Sequence, residues 1–164
     1  MIWKGGDGVW SSEGGKWLID GKAGVLEAVH LASIPSGNVK LEANTEAMGL
    51  SVGKGATLDL GAHRLRSRWH ATFEPGSTIK LMIAAAERPD RGGRVRIEGN
   101  AKLGGTLIVQ LAGPIEKGGV YPLIAVGGLR EGQFEKVIVP EGCEWRIERN
   151  ALVVEVPKAG KVGK

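Results

Sequence analysis

The sequence predicts a single-domain, all-β protein in which short strands stack as successive coils, and three observations predict it. Glycine supplies 27 of the 164 residues without the G-X-Y period of collagen. Apolar and polar residues alternate with period 2 in several short segments, whereas helical periodicity is nearly absent. A weak internal repeat recurs along the chain, as expected of stacked coils whose single units cannot bury their own apolar face.

The longest alternating segment covers residues 64–73, and we predict it to be one half-buried strand. Its odd positions are predicted to face inward and carry Leu65, Ser67, Trp69, Ala71 and Phe73. Its even positions are predicted to face outward and carry Arg64, Arg66, Arg68, His70 and Thr72. Shorter alternating segments lie at 78–83, 94–98, 106–111 and 151–156. In the segment 106–111, Leu107 and Val109 are predicted inward and Ile108 outward. Glycine- and proline-containing turns separate about ten such strands.

The internal repeat is a small-residue turn followed by Thr and an aliphatic-x-aliphatic segment, and it occurs at 53–61, 73–81 and 99–109. At about 20 residues per coil and about 4.8 Å per stacked strand, the chain would form about seven coils. The two ends of such a stack are rows of unpaired backbone groups that favour end-to-end association of copies of the chain.

We therefore divide the chain into a β-solenoid domain over residues 1–157 and a flexible, basic tail over 158–164. The ends of a solenoid differ from its middle. Residues 1–20, with Trp3, Trp10 and Trp17, are predicted to form an N-terminal cap. Residues 140–157 are predicted to form a C-terminal cap, in which Trp145 belongs to a hairpin-like segment.

Two segments resemble a known family. The pattern W-x-G-G-x-G-x-W, followed by a third Trp, covers residues 3–17, and L-G-G-T-L-x-V-x-L covers residues 103–111. The first resembles the start of passenger segments in bacterial autotransporter-type surface proteins, and the second resembles the autotransporter-associated β-strand repeat. Further units similar to the family pattern follow in the family's order, at 55–61, 76–81, 97–111, 118–124, 132–140 and 152–156.

This resemblance implies a right-handed parallel β-helix with a structural or adhesive role and an extracellular or cell-surface location. The first residues lack the charged and apolar regions of a secretory signal peptide, so a secreted protein would have lost its signal. No apolar run approaches the roughly 18 residues of a membrane span, so we expect no transmembrane segment.

The sequence predicts no catalytic or metal-binding site. The single Cys143 excludes an internal disulfide; we expect a small hydrophobic residue near Trp145, a reactive thiol being the alternative. Residues 5–8 match half of a calcium-binding nonapeptide, but Trp10 replaces its aspartate, and a plain turn is expected. Three histidines and four aspartates show no ligand or catalytic spacing: His30, His63, His70, Asp7, Asp20, Asp59 and Asp90. We therefore expect no metal, no cofactor and no enzymatic activity.

Basic residues provide the best candidate for a binding surface. Three arginines share one strand face, two share another and a lysine lies on a third: Arg64, Arg66 and Arg68, then Arg94 and Arg96, then Lys80. Stacked together, these faces would form a basic stripe suited to an anionic glycan or surface polymer. The alternative is an ordinary solvated face that discourages edge pairing. With no aromatic side chain predicted outward among them, specific nucleic-acid binding is not expected.

Four functions remain open at this point. The first is a non-enzymatic structural or adhesive β-helical module of a bacterial surface protein. The others are an anionic-glycan-binding module, a self-assembling structural subunit and a truncated polysaccharide-degrading β-helix.

Overall fold

The computed structural model describes residues 1–10, 17–19, 22–24, 30–84, 94–113 and 118–157. Within these ranges the chain forms twenty β-strands and no helix. The strands, numbered here in chain order, belong to three sheets in which most neighbours run parallel. The all-β prediction is confirmed, and the parallel sheets are consistent with a β-solenoid-like fold.

The first sheet contains, in spatial order, β17 (Arg130–Gly132), β14 (Ala101–Leu103), β11 (Ala71–Phe73), β8 (Gly49–Val52), β5 (Leu31–Ile34), β1 (Ile2–Trp3), β3 (Trp17–Ile19) and β4 (Lys22–Gly24). The second contains β18 (Lys136–Ile138), β15 (Thr106–Leu111), β12 (Thr78–Ile83), β9 (Ala56–Gly61), β6 (Gly37–Leu41) and β2 (Gly8–Trp10). The third contains β19 (Glu144–Glu148), β20 (Ala151–Val156), β16 (Gly119–Val126), β13 (Val95–Ile97), β10 (Leu65–Ser67) and β7 (Thr45–Ala47).

From β5 to β18, consecutive strands enter the first, second and third sheets in turn, and three such strands make one coil. Coil length varies along the stack. Leu50 pairs with Ala71, 21 positions on, but Ala71 pairs with Ala101, 30 positions on. The later coils are longer because more residues join the second sheet to the third. Among the described residues the second sheet has six levels, whereas about seven coils were predicted.

The repeated sequence units lie directly above one another. Thr57, Thr78 and Thr106 are paired neighbours on β9, β12 and β15, so the Thr of each unit occupies the same place in its coil. Leu58, Ile79 and Leu107 form the adjacent inward column, and all three are fully buried. The predicted register of residues 106–111 is confirmed, since Leu107 and Val109 are buried and Ile108 is not.

Glycine is needed where corners of successive coils approach closely. Gly105, between β14 and β15, has a φ of +73°, and a Cβ there would lie 2.3 Å from the Ser77 carbonyl oxygen of the coil below. A Cβ on Gly99 would lie 2.5 Å from the Trp69 carbonyl oxygen. Any side chain at these two positions would force the coils apart, which explains part of the glycine content.

The N-terminal end of the stack is closed by tryptophans. Trp3, Trp10 and Trp17 are at most 2% exposed, and the Trp17 ring meets the other two edge-on, with ring centroids 5.1 and 4.9 Å apart. Such edge-to-face contacts are favourable for aromatic pairs. At this end β3 and β4 extend the first sheet in antiparallel fashion.

The prediction of a single strand over residues 64–73 is wrong. The segment forms β10 in the third sheet and β11 in the first, and the chain turns between them at residues 68–70. Trp69, predicted inward, is 53% exposed and stacks on His70, with ring centroids 4.1 Å apart. In the sequence, apolar and polar residues continue to alternate through this corner. The side chains no longer alternate between two faces of one strand there, because the chain turns from one sheet to another.

Candidate functional site

The predicted basic residues gather mainly on the outer face of the third sheet. Arg66 on β10 pairs with Glu46 on β7 and with Arg96 on β13, so the three side chains follow one line across three coils. Arg64 and Arg68 lie just before and just after β10. We call this set, together with Glu98, the arginine surface.

Two glutamates interleave with the arginines of this surface. Arg66 contacts Glu46, with Nη1 and Oε2 3.3 Å apart, and its Nε donates to Glu98 Oε1 at 3.1 Å. Arg68 also pairs with Glu46, and Arg96 Nε lies 3.9 Å from Glu98 Oε1. Arg66 thus links the carboxylate of the coil before it to that of the coil after it.

The pairing changes the acidity of these exposed groups. The hydrogen bond from Arg66 holds the pKa of the Glu98 carboxyl below its usual value. The same contact, seen from the other side, raises the pKa of the Arg66 guanidinium. Both groups are therefore charged at neutral pH, and the network acts as a set of ion pairs between coils.

Arg94 was predicted to face outward, and this prediction is wrong. Its residue is only 5% exposed, and its guanidinium Nη1 donates to the carbonyl oxygen of Ala62 at the corner of the preceding coil. A buried arginine needs such acceptors because its five donors lose water. Arg94 therefore ties two corners together below the surface.

Lys80 lies apart from the arginines. It belongs to β12 in the second sheet, where its register partner is Asp59 on β9. Both line a shallow groove of about 460 Å³ on that sheet. The six predicted cations therefore do not form one stripe: four share the arginine surface, Arg94 is buried beside it and Lys80 lies on another sheet.

A shallow groove of about 340 Å³ runs along the arginine surface; its lining residues are Asn44, Thr45, Glu46, Arg64, Leu65, Arg66, Arg94 and Arg96. Four of these lining residues are arginines (Arg64, Arg66, Arg94 and Arg96), and the carboxylate of Glu46 lies among them. The site can therefore attract an anion, but an incoming anion competes with carboxylates already in place.

The two glutamates were missed by sequence reasoning. Glu46 and Glu98 are 20 and 32 positions from Arg66. Only the coil register brings them together. The available signal was Glu98 itself, which stands two positions after Arg96 and directly after β13. The expectation that no aromatic is exposed beside the arginines was also wrong, because Trp69 follows Arg68.

Of the other candidate residues, Asp7 and Asp59 line the same groove as Lys80. Within the described ranges, no three His, Cys, Asp or Glu side chains come close enough to hold a metal ion. Asp7 Oδ1 accepts from the Asn38 amide at 3.0 Å, and Asp59 Oδ1 from the Gly61 amide at 2.9 Å. Asp20, Asp90 and the tail 158–164 lie outside the described residues. Burial raises the pKa of the Cys143 thiol, which reduces its thiolate fraction.

In the part of the chain that the structure describes, no helix has the length and apolar character to cross a membrane. Comparison with protein-family models, with curated proteins and with solved structures finds no match to this chain. The resemblance to autotransporter passengers therefore stays a prediction from the quoted motifs.

Proposed function

We propose that this chain is a non-enzymatic structural or adhesive module of an extracellular or cell-surface bacterial protein, built as a right-handed parallel β-helix. The observation that carries the proposal is the use of Arg66, whose guanidinium joins carboxylates of the two neighbouring coils. The guanidinium of Arg66 thereby helps to hold neighbouring coils together.

The stacking of the repeats supports the same proposal. The three units that resemble the family pattern place Thr57, Thr78 and Thr106 in one column. Their preceding glycines, Gly55, Gly76 and Gly105, all have positive φ. A chain that repeats one corner and one strand in this way builds a stack of coils, which suits a spacer or a display surface.

The proposal predicts that Arg66 matters for stability. Replacing Arg66 with Ala removes the ion pairs that join one guanidinium to Glu46 and Glu98 of the two neighbouring coils, so the melting temperature should fall by a few degrees. The matched control is Arg130→Ala on β17, an exposed arginine of the terminal strand. Equal melting temperatures for the two variants would contradict a coil-linking role.

Polyanion binding is the second candidate, and the four arginines among the lining residues of the groove favour it. The experiment is retention on a heparin-like resin, comparing wild type with the triple change Arg64→Ser, Arg66→Ser and Arg68→Ser, each checked by thermal melting. If the arginines serve the stack, both proteins elute together. Retention that the triple change abolishes, and that falls steeply with salt, would instead assign polyanion binding to this surface.

A further inference from the structure

The corner between the third and first sheets carries a tryptophan that the fold does not bury. Trp69 is 53% exposed and lies outside the hydrophobic core, although it stands between β10 and β11, whose inward residues are buried. Its ring contacts the His70 ring, with centroids 4.1 Å apart. An indole is a large apolar surface to leave in water, and exposed apolar surface of this kind marks binding sites.

Hydrogen bonds hold the corner that carries Trp69 in one shape. The Ser67 hydroxyl donates to the His70 carbonyl oxygen at 2.9 Å, across the turn. The same oxygen accepts from the Leu50 amide at 3.0 Å, in the coil before. The Trp69 carbonyl oxygen accepts from the Gly99 amide at 2.6 Å, in the coil after. The backbone beneath the indole is therefore fixed, and a preformed platform of this kind costs little ordering entropy when a ligand binds.

Two glycines occupy the corresponding corner in the next two coils. The Gly99 amide donates to the Trp69 carbonyl oxygen, and the Gly128 amide donates to the Gly99 carbonyl oxygen. A Cβ on Gly99 would lie 2.5 Å from the Trp69 carbonyl oxygen, and one on Gly128 would lie 2.3 Å from Asn100 Oδ1. These two positions therefore carry backbone alone, over two strand spacings or about 10 Å beside the indole.

A groove of about 510 Å³ opens next to this corner, on the first sheet. Its lining residues come from three successive coils: His70, Ala71, Thr72, Asn100, Ala101, Lys102, Leu129, Arg130 and Glu131. His70 belongs both to the groove and to the ring contact with Trp69, so the indole adjoins the groove. Leu129, two coils from Trp69, is 77% exposed at the far side. We call the Trp69 ring and these nine residues the corner groove.

The polar groups of the corner groove suit hydroxyls better than anions. Lys102 and Glu131 are register partners on β14 and β17, so opposite charges lie side by side, and Arg130 leaves an excess of one positive charge. The groove of the arginine surface, with four arginines and one glutamate, is more cationic. Asn100 Oδ1 accepts from the Leu129 amide at 2.9 Å, so its N–H groups are the donors that it can offer. A hydroxyl uses donors and acceptors alike, whereas an anion would meet the Glu131 carboxylate.

We propose that the corner groove binds an uncharged polysaccharide of extended, β-1,4-linked sugars. The apolar C–H face of one sugar stacks on Trp69, and a later ring contacts Leu129. Hydroxyls in between bond to Asn100, Lys102 and Glu131. Alternate sugars of such a chain turn the same face to one side, and two sugars are about as long as two strand spacings, about 10 Å. The inference rests on the adhesive role proposed above and names the class of its ligand.

Isothermal titration calorimetry of the whole chain with cellohexaose and with chitohexaose tests the proposal, and the two sugars distinguish glucose from N-acetylglucosamine chains. We expect at least one to bind with a dissociation constant between about 0.1 and 1 mM. Trp69→Ala should weaken that binding at least about tenfold, the loss typical of an aromatic anchor. The matched control is Trp145→Ala on β19, which removes a tryptophan of similar exposure, 42%, outside the groove and should leave binding unchanged. Should Trp69→Ala melt early, Lys102→Ala provides a second groove variant, and it should also weaken binding.

Salt separates this site from the arginine surface. An uncharged sugar releases no counterions, so its affinity should stay the same from low to physiological salt, unlike that of a polyanion.

Three results would overturn the proposal. The first is no binding of either hexasaccharide at millimolar concentration. The second is binding that the folded groove variants retain, that Trp145→Ala removes or that falls steeply with salt. The third is tighter binding of a single-stranded oligonucleotide that Trp69→Ala also weakens, which would assign the indole to base stacking. Because titration measures sugar binding and melting of Arg66→Ala measures the stack, either can fail while the other stands.

Discussion

Replacing Val109 with Asp is expected to destabilise the protein by about 3–5 kcal/mol, a large part of the stability of an ordinary domain. Val109 is 3% exposed and lies in the inward column of β15, next to Leu81 on β12. A carboxylate there would lose its water inside the hydrophobic core cluster to which Val109 belongs. Urea unfolding followed by circular dichroism measures the loss.

The matched control is the adjacent residue, Ile108, which faces outward and pairs with Lys80. Ile108→Asp keeps the new carboxylate in water and places it beside a lysine, so the expected loss is below about 1 kcal/mol. Equal losses at the two positions would show that the inward and outward faces of β15 are assigned wrongly.

The second large effect is expected from Gly105→Ala. Gly105 has a φ of +73°, and the new Cβ would lie 2.3 Å from the Ser77 carbonyl oxygen. The conformational cost of about 1–2 kcal/mol is then joined by a clash with the backbone, for a total of about 3 kcal/mol or more. Denaturant unfolding provides the measurement, and a shift of the midpoint is expected with an unchanged slope.

The substitution Gly55→Ala separates the conformational cost from the cost of the backbone clash. Gly55 has a similar φ of +81°, but a Cβ there would meet no atom within 4 Å. Gly55→Ala should therefore cost only the conformational part, about 1 kcal/mol. If Gly105→Ala costs no more than Gly55→Ala, the corners of the coils are not packed as closely as described.

The sequence predicted those parts of the fold that depend on local pattern. The all-β class follows from two-residue alternation, and the stacking of 53–61, 73–81 and 99–109 follows from their shared turn and Thr. Both are confirmed, because alternation and positive-φ glycines are properties of a single strand or corner. The same pattern identified Leu107 and Val109 as inward.

Positions that depend on the path between sheets were not predictable in this way. Residues 64–73 alternate without interruption, and no glycine or proline marks the corner at which Trp69 turns outward. Coil length could not be predicted from the alternation either. It rises from 21 to 30 positions where longer connections join the second and third sheets. Alternation encodes which face a side chain takes within a strand, but it carries no information on where the chain changes sheet.

The arginine surface required the coil register. Sequence reasoning identified Arg66 and Arg96 as outward, and the structure places them side by side. It could not identify Glu46 and Glu98 as their partners, because those contacts span 20 to 32 positions. Nor could it detect the burial of Arg94, which depends on the Ala62 carbonyl of another coil. Charge counting alone therefore overstated the basic character of this face.

Disulfide trapping tests the central claim, parallel stacking of strands one coil apart, most directly. Ser51 and Thr72 are paired neighbours on β8 and β11. Neighbouring strands are about 4.8 Å apart, within the Cα separation that a disulfide spans. In a Cys143→Ser background, Ser51→Cys with Thr72→Cys should oxidise readily in the native protein. Asp59→Cys with Thr72→Cys should not, although these residues are nearer in sequence, because β9 and β11 belong to different sheets. Faster oxidation of the Asp59 and Thr72 pair would contradict the stacked-coil structure.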